Sequence, residues 1–313
     1  MTSTQSESRR KMSALEKRNT LIAYSFLAPN FIGFVIFTLV PVVFSFVLAF
    51  MNWSGGQNIT FAGLDNFRLI FKDFSFTKSN LGIALKNTVF YTAMTVPLTL
   101  VFALGLALIL NKVRGAGFFR AVIFFPYVAS LVAICVCWNF LLMKNGPVNQ
   151  ILNAVGFNMK KSWTSSRDLA IWAIIIVSVW RNAGYYMVMY LAGLQGVPAE
   201  LYEAATMDGA NGWQKFTKVT LPMLTPTTFF CSIMMVISCF KIYDVVAIMT
   251  QGGPGRSTKM LVTYIFELSF GGENIATSAQ YGVASAVSMV LLAIVLIVTF
   301  VQFRGEKKWV NYM

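Results

Sequence analysis

The sequence predicts an all-α, polytopic membrane protein with six transmembrane helices. Its 313 residues are 57% hydrophobic and only 12% charged, whereas soluble domains carry about 25% charged residues. Six apolar runs are each long enough to cross a bilayer as a helix, which takes roughly 20 residues. The runs are continuous rather than alternating, and they exceed the roughly ten residues of a barrel strand, so helices are predicted rather than sheet.

The six predicted spans follow one another along almost the whole chain. They cover residues 21–50, 88–110, 121–142, 169–191, 225–250 and 281–303. Pro29 and Pro41 fall in the first run and are expected to break it or shorten the true span. Residues 1–20 are dominated by Ser, Thr, Gln and charged residues, which predicts a disordered tail. The predicted organisation is a membrane domain of residues 21–303 between tails of residues 1–20 and 304–313.

The distribution of Lys and Arg predicts that both termini lie in the cytoplasm. Basic residues occur in the N-terminal tail, in the short loop after the second span and in the C-terminal tail. With six spans, these segments share one side of the membrane with the loop between spans four and five. Cytoplasmic segments of membrane proteins are enriched in Lys and Arg, so this side is assigned to the cytoplasm. The first apolar run exceeds the roughly 7–15 residues of a signal-peptide core and is expected to remain as a span.

Composition excludes several classes of function. The net charge of +13 does not indicate nucleic-acid binding, because no basic patch is interleaved with aromatic residues. Anionic membrane lipid is the expected contact of the basic ends instead. The sequence has no histidine, which removes the Ser-His-Asp and Cys-His catalytic arrangements and most zinc sites. All four cysteines lie inside predicted spans and are interpreted as small core residues, not as disulfides or metal ligands: Cys135, Cys137, Cys231 and Cys239.

The sequence also has no phosphate-binding loop of the form Gly-x-x-x-x-Gly-Lys-Ser/Thr. The nearest match, residues 252–258, has Thr250 in the place of the first glycine and is interpreted as a tight external turn. The chain is therefore not predicted to hydrolyse ATP by that mechanism. No catalytic residue, metal ligand or cofactor is assigned to it.

The loop of residues 192–224, between spans four and five, carries signals for ordered structure. Pro198 suits a first helical position, which would place Glu200 and Glu203 in the first turn, near the positive end of the helix dipole. Asn211 and Gln214 form the pattern of a capping box that opens a second short helix. Gly209 lies between the two helices and can adopt backbone angles that other residues resist. A compact helix-turn-helix element is predicted on one face of the membrane, and an element this ordered is expected to dock a partner.

Polar and aromatic residues share one face of the fourth span and recur in the third. In the fourth span they fall at i, i+4, i+7 and i+8, which is one side of a helix. Flat aromatic rings with nearby amides and hydroxyls are typical of carbohydrate sites, but the same residue types also hold membrane helices together. Both interpretations remain open for the candidate lumen residues, which are Tyr127, Ser130, Ser178, Asn182, Tyr185 and Tyr186.

Three charged residues lie inside the predicted spans, where charge is costly and usually functional. Arg181 is in the fourth span, and Lys241 and Asp244 are in the fifth at i and i+3. That spacing lets one helix face pair the two fifth-span charges. Lys241 and Asp244 either neutralise each other or line a water-filled passage. In the second case, Lys241 would favour an acidic or amino-sugar substrate. Asp244 is the only acidic residue in any predicted span, which argues against a proton-coupled carrier.

The loop between spans four and five resembles that of a known transport family. The motif Glu203-Ala-Ala, followed by Gly209 and by Leu221-Pro222, is similar to the signature loop of binding-protein-dependent ABC importer permeases, which also precedes their penultimate span. Further stretches resemble the carbohydrate branch of these permeases, namely residues 26–33, 63–67, 87–91, 124–127, 180–186, 202–214 and 250–254. The resemblance extends from residue 21 to residue 303.

The resemblance implies a permease subunit that works with several partners. These are a second, homologous permease chain, two ATP-binding subunits that carry the ATP and Mg, an extracellular sugar-binding protein, and a carbohydrate substrate. The loop would act as a coupling helix in a cleft of one ATPase subunit, where Glu203 would meet a basic residue. The implied coupling residues are Glu203, Ala204, Ala205, Asp208, Gly209, Leu221 and Pro222. The implied location is a bacterial or archaeal cytoplasmic membrane.

Three other functions stay open. An ABC permease for another cargo, such as peptides, amino acids, phosphate or polyamines, would share the coupling motif, and only Trp213-Gln214 and the aromatic-rich regions favour sugar. A secondary carrier would need internal ion sites, which the scarcity of carboxylates in the spans opposes. A membrane enzyme is disfavoured by the missing histidine and by the lack of paired catalytic carboxylates.

Overall fold

The computed structural model describes residues 14–271 and 279–310, and these residues are mostly helical. The helices of the first half are α1 Ala14–Phe34, α2 Val40–Leu48, α3 Asp65–Phe71, α4 Asn80–Leu110, α5 Ala116–Val128, α6 Leu131–Leu141 and α7 Pro147–Ala154. Those of the second half are α8 Ala170–Gln195, α9 Ala199–Met207, α10 Gly212–Lys215, α11 Leu221–Met223, α12 Thr225–Phe240, α13 Asp244–Met249, α14 Leu261–Phe270 and α15 Tyr281–Trp309. Two short strands, β1 Met51–Asn52 and β2 Thr60–Phe61, pair antiparallel. The predicted predominance of helix is confirmed.

Several helices are long and apolar enough to cross a membrane. Four of them qualify alone: Arg18–Leu48, Asn80–Leu110, Ala170–Gln195 and Tyr281–Glu306. Two bent pairs qualify if each pair forms one span, and these are Ala116–Val128 with Leu131–Leu141 and Gly212–Met223 with Thr225–Phe240. The described residues thus contain four to six candidate spans, as a multi-pass membrane protein requires.

The first span is continuous, contrary to the expectation that its prolines break it. α1 leads through a π-helical turn, Val35–Leu39, directly into α2. Pro41 lies at the start of α2, and the N–H of Val40 donates to the carbonyl of Val35. The wider π turn fits a proline here because proline lacks an N–H and its ring crowds the preceding turn. Since α1 begins at Ala14, residues 14–20 are helical rather than disordered, and residues 1–13 of the predicted tail lie outside the described part of the chain.

The third predicted span is bent and the fifth is interrupted, although the sequence predicts unbroken helices. α5 and α6 meet at 94°, because Ala129 between them is extended, with a ψ of 155°. α12 ends at Phe240, and α13 begins only at Asp244. Lys241 and Asp244 therefore do not share one helical face. They lie on either side of a break in the helix, and no ion pair joins them within the described residues.

α4 and α8 form the centre of the bundle, with α5 packed on α8 and α12 on α4. The main core buries apolar side chains from these helices and from α6 and α13, among them Ala103, Ile174, Met187 and Met235. A second apolar cluster joins α12, α14 and α15. Three of the four cysteines are buried as expected, but Cys137 is exposed on α6 and is not a core residue.

Gly184 sets the close approach of α5 and α8. A Cβ atom at this position would collide with the backbone carbonyl of Ile123 in α5. Small residues allow membrane helices to approach this closely. The contact fixes the distance between α8 and the part of α5 that carries Tyr127.

We expect Gly184→Ala to destabilise the folded protein by about 1–3 kcal/mol, because a methyl group added to a packed interior forces the backbones apart. The matched control is Gly105→Ala in α4, where a Cβ atom would have no neighbour within 4 Å. Thermal unfolding in detergent measures the difference. The Tm should fall for Gly184→Ala and stay equal or rise for Gly105→Ala, since alanine favours helix. Equal Tm values for the two variants would contradict the close contact.

Candidate functional site

One cavity, of about 260 Å³, lies between α8 and the break that separates α12 from α13. Most of the predicted lumen residues line it: Tyr127, Ser178, Asn182, Tyr185, Tyr186, Lys241 and Asp244. Ser130 is not part of this wall. It is exposed and directly precedes α6, at the bend between α5 and α6. The face of α8 that the sequence singles out thus borders a cavity, whereas the bend directs Ser130 elsewhere.

Three tyrosine rings form an aromatic surface on one side of this cavity. The rings of Tyr127 and Tyr185 stack, with 4.7 Å between their centroids and 21° between their planes. Tyr186 stands almost perpendicular to Tyr185, at 5.1 Å and 86°. Stacked and edge-to-face pairs are favourable arrangements for aromatic rings. Together the three rings give this side of the cavity an aromatic wall.

The cavity wall also carries charge. Arg181 lies over the ring of Tyr127, with 5.3 Å from Cζ to the ring centroid, and its Nη2 donates to the carbonyl of Tyr127 at 3.4 Å. The Nε of Arg181 is buried and has no hydrogen-bond partner. Lys241 and Asp244 line the same cavity, and both residues are exposed. The wall thus offers two cationic side chains and one carboxylate beside the aromatic surface.

Sequence reasoning missed Tyr91, Ser238 and Tyr243, which also line this cavity. Tyr91 belongs to α4, and Tyr243 lies in the break before α13, so only the packing of separate helices brings them next to α8. The periodicity of residues along one helix does not show which residues of other helices pack beside it. Arg181 does have a sequence signal, because a charge inside an apolar span marks a functional position.

The polar loop between α8 and α12 folds into an ordered element of residues 199–223, the α9–α11 element. The capping box is confirmed: Asn211 Oδ1 accepts from the N–H of Gln214 at 2.9 Å, and Gln214 Oε1 accepts from the N–H of Asn211 at 2.8 Å. Pro198 directly precedes α9 instead of occupying its first position, and Glu200 is the acidic residue of the first turn. Glu203 lies beyond that turn, so the favourable contact with the helix dipole belongs to Glu200.

The turn between α9 and α10 depends on Gly209. Its φ is +74°, a left-handed conformation in which glycine is the usual residue. The N–H of Ala210 donates to the carbonyl of Ala205 at 2.9 Å, which closes the end of α9. Lys215 Nζ then donates to Thr206 Oγ1 at 2.8 Å and ties α10 to α9. These contacts hold the two short helices in one arrangement.

The α9–α11 element presents apolar side chains to solvent. Met207 is 88% exposed and Trp213 71% exposed, and Glu203 is also exposed. Leu221 and Pro222 are partly buried where the chain returns to α12 through a second π turn, Phe216–Thr220. Exposed apolar groups on a rigid polar element are typical of a protein-docking surface.

A comparison with protein families identifies the chain. The family described as binding-protein-dependent transport system inner membrane component matches residues 85–309. The chain belongs to this family. The matched region includes the cavity wall and the α9–α11 element, and the members of the family are membrane permease components of ABC importers, not catalytic subunits. The family that the loop motif predicts is confirmed.

Individual relatives cover the chain from end to end. The probable ABC transporter permease protein YesP of Bacillus subtilis (strain 168) is 35% identical over 317 residues, 100% of this chain and 98% of YesP. The lactose transport system permease protein LacF of Rhizobium radiobacter is 34% identical over 301 residues, 95% of this chain and 97% of LacF. A bacterial ABC transporter involved in the import of the acidic polysaccharide alginate has a chain of the same fold, with a TM-score of 0.78 and 23% identity over 94% of this chain and 98% of that chain.

Proposed function

We propose that this chain is the membrane-spanning permease subunit of an ATP-driven ABC importer for a sugar or oligosaccharide that an extracellular binding protein delivers. The observation that carries the proposal is similarity along the full length to permeases of this family, one of them named for lactose. The aromatic surface beside Tyr127 and Tyr185 supports a carbohydrate, because flat rings pack against the apolar face of a sugar.

The proposed membrane topology has six spans, formed by the four long helices, by the bent pair of α5 and α6, and by α12, with both termini in the cytoplasm. This places the α9–α11 element on the cytoplasmic side, where it would seat in one of two ATP-binding subunits. A second, homologous permease chain would complete the passage. ATP and Mg would bind to the ATPase subunits, whose closure would pull on the α9–α11 element and open the cavity toward the binding protein.

The contacts of the α9–α11 element support this role. An element can transmit motion only if it moves as one body, and the capping box, the Gly209 turn and the bond from Lys215 to Thr206 make it one body. The exposed Met207 and Trp213 supply apolar contact area for a partner. The coupling residues proposed from the family motif are Glu203, Ala204, Ala205, Asp208, Gly209, Leu221 and Pro222.

A permease of the same kind for a non-sugar solute is the second candidate function. Arg181 and Lys241 line the cavity, and cationic groups of this kind would also bind phosphate or another small anion. The α9–α11 element would serve such a permease equally well. The two candidate functions therefore differ in the solute that the cavity binds and not in how ATP hydrolysis drives transport.

The test of cargo is uptake by proteoliposomes that contain the complete transporter and its binding protein. We expect uptake of a labelled mono- or oligosaccharide that requires ATP. Collapsing the ion gradients across the membrane should not reduce this uptake. Asn182→Ala should lower this uptake and change the preference among sugars, because Asn182 lines the cavity. The control Asn111→Ala replaces an exposed amide at the end of α4 and should leave both unchanged. Normal uptake and selectivity in Asn182→Ala would contradict the assignment of the cavity as the substrate passage.

A further inference from the structure

We infer that the cavity takes an acidic oligosaccharide, one that carries carboxylate groups, and that Arg181 and Lys241 bind those carboxylates. This inference rests on the function proposed above and names the substrate class of the same cavity. Three observations support it: the excess of positive charge in the cavity wall, the contacts of Arg181, and the difference between Lys241 and Lys259. Of these two lysines, Lys259 has a carboxylate partner within the protein.

The charge balance of the wall favours an anion. Arg181 and Lys241 face one carboxylate, that of Asp244. Neither cation forms an ion pair among the residues that the structure describes. A charge at membrane depth is costly unless something compensates it. A bound carboxylate would compensate the excess positive charge.

Within the described residues, the protein satisfies the guanidinium of Arg181 only in part. Its contacts with the protein are the ring of Tyr127 and a long hydrogen bond to the Tyr127 carbonyl, and its buried Nε has no partner. The planar guanidinium presents several donors in a fork that matches a carboxylate with two parallel hydrogen bonds. Since Tyr127, Tyr185 and Arg181 all line the cavity, a sugar bound beside these tyrosines would bring its carboxylate close to Arg181.

Lys259 is an example of a buried lysine whose charge is compensated by a carboxylate of the protein. Lys259 is 1% exposed, and its Nζ lies 2.6 Å from Oε2 of Glu267. Lys241, in contrast, follows the last residue of α12, and Asp244 begins a separate helix without pairing with it. The break between α12 and α13 thus keeps Lys241 and Asp244 apart and leaves Lys241, in the wall of the cavity, without an ion-pair partner among the described residues.

Trigalacturonate and its methyl ester provide a matched pair of probes, because esterification removes the charge and keeps the sugar skeleton. Equilibrium dialysis of the complete permease–ATPase complex, without binding protein, measures their Kd values. We expect trigalacturonate to bind at least about tenfold more tightly than its ester. Arg181→Gln and Lys241→Gln should each weaken trigalacturonate binding about tenfold, as expected for the loss of one hydrogen bond to a charged group. Asp244→Asn should strengthen it, since a like charge is removed.

The control for the cation variants is Arg68→Gln in α3, where Arg68 forms an exposed ion pair with Asp65 and where no change of Kd is expected. Equal Kd values for the acid and its ester, or cation variants that match Arg68→Gln, would overturn the inference. If maltotriose or the ester then still binds, the proposed sugar function stands. If neither probe nor maltotriose binds and no sugar is taken up, the inference and the proposed function both fail.

Discussion

The double variant Glu203→Ala, Gly209→Val is expected to abolish ATP-driven uptake while leaving the protein folded in the membrane. Gly209 has a φ of +74°, and a β-branched residue is a steric outlier in that region. Valine would therefore unfold the turn between α9 and α10. The alanine would remove the exposed carboxylate proposed to meet a basic residue of the ATPase. ATP hydrolysis and uptake are measured on the same proteoliposomes, and we expect hydrolysis to persist while uptake falls to the level without ATP.

Two control variants separate coupling from general damage. Gly209→Asn keeps a residue that tolerates the left-handed conformation and should retain most of the uptake. Glu200→Ala removes the first-turn carboxylate of the same helix and should cost only about 0.3–1 kcal/mol of helix stability. The coupling role would be wrong if the double variant transported as well as Gly209→Asn, or if Glu200→Ala were as defective as the double variant.

Lys259→Met should destabilise the protein more than any other single substitution considered above. Lys259 is buried against Glu267, and its carbonyl accepts from Asn87 Nδ2 at 3.0 Å, which joins the turn of residues 252–258 to α4. Removing one partner of a buried ion pair leaves the other charge uncompensated and costs about 3–5 kcal/mol. Thermal unfolding in detergent measures the effect as a fall in Tm. The double variant Lys259→Met, Glu267→Leu should recover part of the loss, because no isolated charge remains.

Arg68→Met is the matched control for this prediction. Arg68 and Asp65 also form an ion pair, at 3.1 Å, but their side chains are 79% and 72% exposed. Exposed pairs contribute little to stability, so the Tm should hardly change. A similar fall in Tm for Lys259→Met and Arg68→Met would show that burial does not distinguish the two pairs.

Local sequence signals predicted the parts of this fold that depend on neighbouring residues. The capping box of Asn211 and Gln214 and the turn at Gly209 need only a few residues to form, and both are present. The face of α8 with Ser178, Asn182 and Tyr185 follows from the helical repeat alone. That repeat does not report where a helix ends, so the sequence carried no mark of the extended Ala129 or of the break after Phe240. For this reason the sequence does not show that Ser130 lies at the bend, outside the cavity wall, or that Lys241 and Asp244 lie on either side of a break.

The sequence alone does not predict contacts between segments that lie far apart along the chain. Tyr91 reaches the cavity because α4 packs on α8, and Gly184 permits the approach of α5 to α8. The continuity of the first span depends on a π turn before Pro41, and a π turn has no reliable sequence signature. The family motif predicts the segment that we propose for coupling, whereas the cavity becomes visible only when the helices are packed together.

The most direct test of the account is the ATPase activity of the reconstituted transporter, with and without its sugar-loaded binding protein. The complex contains this chain, the second permease and both ATPase subunits. We expect the loaded binding protein to stimulate hydrolysis, and the Glu203→Ala, Gly209→Val variant to lose this stimulation. Failure of the chain to assemble with any ATPase subunit, or hydrolysis that responds to no loaded binding protein, would contradict it.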